Sequence, residues 1–78
     1  MMIGKSRMRR FVLERSEDAS GVSGTGIVAE GVIYSNGFVG LTWLSHLASH
    51  AFYHSLDVME AIHGHGGKTK IVFIDEAP

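Results

Sequence analysis

The apolar pattern begins at Arg10-Phe11-Val12-Leu13-Glu14, a short β-rich run. From Ser16 to Gly26 the chain turns to Ser, Gly and acidic residues, which read as a loop. Ile27 to Tyr34 is the next strand, with Gly31 marking a bulge or a close approach to the backbone. Asn36-Gly37 then predicts a two-residue type I′ hairpin turn, because both central positions need positive φ and Asn and Gly tolerate it best. Such a turn sets Tyr34 opposite Val39, Val32 opposite Leu41 and Glu30 opposite Trp43. One ribbon face is then Val28, Glu30, Val32, Tyr34, Val39, Leu41 and Trp43. The other is Ile27, Ala29, Gly31, Ile33, Phe38, Gly40, Thr42 and Leu44. Both faces are apolar, so both are expected to be covered, by the rest of a small barrel or by a partner.

Residues 42–63 support two readings. Leu44, Leu47, Ala48, Ala51, Phe52, Leu56, Met59 and Ile62 fit helical spacing, which would give an α+β chain with a longer helix over 44–63. The turn chemistry favours another division: Trp43 ends the hairpin, Ala51-Phe52-Tyr53 forms a short strand, and a helix covers Val58 to His63. Ser55 or Asp57 caps that helix, Asp57 with Glu60 resembles a capping box, and Gly64 stops it. Thr69 to Ile74 is the last strand, and its unbroken Ile71-Val72-Phe73-Ile74 run predicts burial on both sides. The expected fold is mainly β, a small antiparallel sheet or half-open barrel of about five strands with one short helix. It divides into a flexible basic lead-in over 1–8, a single β-rich domain over 9–75 and a tail over 76–78.

Composition narrows what such a domain can be. With 78 residues, 45% hydrophobic and 19% charged, the chain is globular in balance but has a thin core, so self-association is expected. It contains no cysteine, which removes disulfides and thiolate metal sites and fits a reducing compartment. No apolar run is long enough for a membrane span or a signal-peptide core, so a cytoplasmic protein with no membrane partner is expected. The net charge of −1 is uneven: Lys5, Arg7, Arg9 and Arg10 leave three basic and eight acidic side chains to residues 11–78, a formal −5. A basic arm on an acidic body can contact phosphates, although most short basic termini are simply solvated.

The segments Gly21-Val22-Ser23-Gly24-Thr25-Gly26, Val28-Ala29-Glu30-Gly31-Val32, Ser35-Asn36-Gly37 and Ile62-His63-Gly64-His65-Gly66-Gly67-Lys68-Thr69 together resemble a family of small phage-related, bacterial and archaeal proteins. The resemblance covers residues 9–75. It implies a β-like conformation for Ala51 to Tyr53 and brings no activity with it. The longer basic lead-in and His46, His50 and His54 depart from the family pattern.

Motifs for chemistry are few. Gly64-His65-Gly66-Gly67-Lys68-Thr69 falls short of a phosphate-binding P-loop, because Ile62 stands where the first Gly is needed and a strand follows where a helix should. Gly21, Gly24 and Gly26 have the wrong order for a dinucleotide fingerprint. His46, His50 and His54 are spaced to share a helix face, and His63 and His65 form a short chelating pair, so these five are the metal candidates. No carboxylate is evidently placed to orient them, and solvated or hydrogen-bonded histidines are the favoured reading; no metal or cofactor is called for. Glu30, on an apolar face, is a candidate general acid if buried, against the commoner outcomes of reaching the sheet edge or pairing with Arg10 or Arg15.

These observations favour a non-catalytic interaction module, binding a protein or its own copy through an apolar hairpin face around Phe38, Trp43 and Phe52. The alternatives are a nucleic-acid-associated protein using Arg7, Arg9 and Arg10 of the basic arm and Lys68 and Lys70 with an aromatic platform, and a histidine-based metal-binding protein.

Overall fold

A computed structural model describes residues 7–16, 25–45 and 48–77, and for His65 the backbone alone. Five strands form one antiparallel sheet: β1 (Arg9–Arg15), β2 (Gly26–Ile33), β3 (Val39–Trp43), β4 (His50–Tyr53) and β5 (Thr69–Phe73). A single α-helix among the described residues, α1 (Leu56–His63), joins β4 to a 3-10 turn over His65–Gly67. The spatial order is β4-β3-β2-β1-β5, so β4 and β5 are free edges and the sheet does not close into a barrel. No helix among the described residues is long and apolar enough to cross a membrane.

The hairpin forms where Asn36-Gly37 predicts it, but with a three-residue loop. Tyr34 and Phe38 face each other across Ser35-Asn36-Gly37: the Tyr34 N–H donates to the Phe38 carbonyl at 2.7 Å, and the Gly37 N–H donates to the Tyr34 carbonyl at 2.8 Å. Gly37 takes φ 90°, a value that favours glycine, and the Asn36 side-chain oxygen accepts from the Phe38 N–H. The extra loop residue shifts the expected register by one. Val32 pairs with Gly40, Gly31 with Leu41, Glu30 with Thr42 and Ala29 with Trp43. A one-residue slip exchanges the faces of β3 relative to β2. The partners expected for Tyr34, Val32 and Glu30 are therefore corrected, and Glu30 is exposed beside Thr42 rather than on an apolar face with Trp43.

On the covered face Phe11 and Leu13 pack with Val28, Ala29, Val39, Leu41 and Met59, flanked by Ile33, Trp43, Tyr53, Leu56 and Ile71. Burying each of the larger apolar side chains contributes roughly 1.5–3 kcal/mol. Between Leu13 and Glu14 the β1–β2 register shifts, with Leu13 opposite Ala29 and Glu14 opposite Ile27. The extra β2 residue, Val28, is buried beside Ala29, while Ile27 is left exposed.

The helix is short because its apolar stripe is narrow. Leu56, Met59 and His63 recur at helical spacing, Met59 is buried, and Val58 and Ile62 remain exposed. Its cap is Ser55, whose Oγ accepts the Val58 N–H at 3.2 Å, so the helix begins two residues before the expected Val58 and the Asp57–Glu60 capping box is not its start. The long helix over 44–63 does not form. His50–Tyr53 pairs with β3 instead, Ala51 opposite Leu41 and Phe52 opposite Gly40, which satisfies β3 backbone groups that a helix would leave without partners. The last strand also departs from expectation: as an edge strand it leaves Val72, Phe73 and Ile74 exposed rather than buried on both sides.

Candidate interaction face

Alternation along five paired strands sends two rows of side chains to the face opposite Met59. The cross-strand register lines up Phe52, Gly40, Val32 and Arg10 in one row and His50, Thr42, Glu30, Val12 and Val72 in the next. Phe52 and Val72 are exposed, as is Ile74 just beyond β5. Arg10, Glu30, Val32, Gly40, Thr42, His50 and Ile74 border a shallow depression of about 370 Å³ on this face.

At the hairpin end the face becomes aromatic. Phe38 meets Phe52 edge to face with centroids 5.2 Å apart, and the His54 ring stacks on Phe38 at 5.2 Å. Tyr34, Phe38, Phe52 and Met8 line a second, more apolar depression of about 490 Å³. Glycine at position 40 leaves the floor low between the His50 and Tyr34 rings. Tyr34 is absent from the expected binding set, since a two-residue turn opposes it to Val39. The signal that finds it is Ser35-Asn36-Gly37 read as a three-residue loop closing on Phe38.

Of the three rings expected to act together, Phe38 and Phe52 are joined and Trp43 is not. Trp43 lies on the covered face, half-buried, with its ring against His63 at 4.9 Å. His63 in turn shares a hydrogen bond with the Tyr53 hydroxyl at 2.5 Å, and burial raises the Tyr53 phenol above its ordinary pKa of 10.0.

The basic candidates fall at opposite ends of the sheet. Arg9 and Arg10 open β1 and are engaged by Asp75. The Arg9 Nε donates to the Asp75 carbonyl, and its guanidinium sits 3.5 Å from the Phe73 ring centre. Arg10 grips the Asp75 carboxylate through its backbone N–H, Nε and Nη2 at 2.8, 3.0 and 2.9 Å. These bonds to Arg10, side-chain ones first, hold Asp75 at a pKa of about 2. Lys68 and Lys70 lie at the far end, Lys70 opposite Glu14. Of the lead-in, residues 1–6 lie outside the described residues, and the Arg7 N–H donates to the Ser35 hydroxyl.

The histidines are similarly dispersed. His50 bonds the Thr42 hydroxyl at 2.9 Å on the open face, His54 stacks on Phe38, and His63 belongs to the covered side. His46 and the His65 side chain lie outside the described residues. Among the described residues no three His, Asp or Glu side chains converge as a metal site.

A family model described as Acb5 phage protein matches residues 8–75. No curated protein and no solved structure matches the chain.

Proposed function

The chain belongs to the Acb5 phage protein family, and from its one-sided sheet we propose that it is a non-catalytic interaction module whose open face binds protein, in the first instance a second copy of itself. The observation that carries this reading is the exposure of Tyr34, Phe38, Phe52, Val72 and Ile74, while α1 occupies the opposite side. Rings held against one another are already ordered, so a partner gains their apolar area at little entropic cost. A domain with so thin a core gains stability from covering this surface.

Sedimentation of the purified chain tests the reading. A dimer is expected, and replacing both Phe38 and Phe52 by Ser is expected to convert it to a folded monomer. A wild-type chain that remains monomeric at high concentration and retains no protein partner through this face overturns the proposal.

A further inference from the structure

At the end of β1, on the covered face, Arg15 is only 3% exposed. Its Nε donates to the Thr69 Oγ1 at 3.0 Å, and its guanidinium carbon stands 5.8 Å from the centre of the Trp43 ring. A guanidinium has five N–H donors, and this bond uses one. Among the described residues no carboxylate is bonded to it; the ion pair there is Arg10 with Asp75, near the other end of β1. A buried cation without an anion is costly, and a neighbouring ring offsets only part of that cost. Among the described residues no fully buried side-chain nitrogen or oxygen lacks a partner. The unbonded Nη groups therefore lie where Arg15 keeps its remaining accessible surface.

Thr69 completes the arrangement. It is 5% exposed and accepts from Arg15, so its own hydroxyl hydrogen remains to be donated. A planar fork beside a hydroxyl donor matches the hydrogen-bonding needs of an oxyanion. We infer that Arg15 and Thr69 form a binding site for a small oxyanion, a phosphoryl or carboxylate group, at the β1–β5 end of the sheet. The site lies on the face opposite the proposed interaction surface and does not depend on that surface.

The test uses the full chain and two probes, inorganic phosphate and acetate, each compared with chloride at equal ionic strength. At least one is expected to raise the melting temperature in a dose-dependent way, by binding the native state alone. The more effective probe tells a phosphoryl from a carboxylate ligand. Arg15→Lys keeps the charge but loses the fork, and is expected to weaken the response at least roughly ten-fold in apparent Kd. Thr69→Val serves the same purpose if the lysine variant does not fold. Broadening of the phosphate 31P signal by wild type, lost in the variant, gives a readout independent of stability. A melting temperature indifferent to both anions, or a response undiminished in both variants, overturns the inference.

Discussion

The Phe11 ring lies across its paired neighbour Gly31 so closely that a Cβ on residue 31 would stand 2.2 Å from Phe11 Cζ. Phe11 is fully buried, so its ring has no open space in which to retreat. Gly31→Ala is therefore expected to destabilise the fold by about 1–3 kcal/mol in urea denaturation, as overpacked cores do. In a Phe11→Leu background the same change should cost much less, since alanine restricts the unfolded chain more than glycine. Equal costs in both backgrounds would mean that the ring is not the obstacle.

Ser55 rather than Asp57 caps α1. Ser55→Ala should cost about 1 kcal/mol, the usual loss when an N-cap oxygen is removed, whereas Asp57→Asn should cost only a few tenths. Urea midpoints of the two variants rank the residues directly, and the reverse ranking would return the cap to Asp57.

Asp75 supplies an acid-sensitive contact. Its pKa is lowered from the ordinary 3.8 to about 2, chiefly by hydrogen bonds from Arg10, so folding favours its carboxylate form. That contribution is fully present above the unfolded value and disappears as pH falls from near 4 through about 2. An NMR titration should place the Asp75 carboxyl midpoint near 2 in wild type and nearer the ordinary carboxylate range in Arg10→Met. The stability difference between wild type and Asp75→Asn should close over the same interval. A midpoint unmoved by Arg10→Met would assign the shift to another cause.

Tyr53 gives the alkaline counterpart. Burial raises its phenol above 10.0, so the native state holds the neutral form while the unfolded chain ionises first. The stability tied to this group is present below pH 10.0 and is lost as pH rises through the folded value. Denaturation across that range should show a smaller alkaline loss in Tyr53→Phe than in wild type. Identical slopes would remove Tyr53 as the source.

Strand positions, the loop at Asn36-Gly37, the β-like Ala51 to Tyr53 and the helix stop at Gly64 were all legible along the chain, because each rests on local chemistry: β-branched runs, positive φ, capping groups. The pairing register was not. β2 is apolar on both faces, so alternation alone cannot say which side is core, and Ser35-Asn36-Gly37 accommodates a loop of two or three residues. Tertiary packing decided it. β1 brings the Phe11 ring to a position where only glycine fits, which puts Gly31, Ala29 and Ile33 on the covered face and Glu30 in the open. The same choice separated Trp43 from Phe38 and Phe52 and brought Tyr34 to them. Asp75 on Arg10 and Thr69 on Arg15 were beyond any local reading, since each joins β1 to the C-terminal end of the chain and exists only once β5 has paired with it.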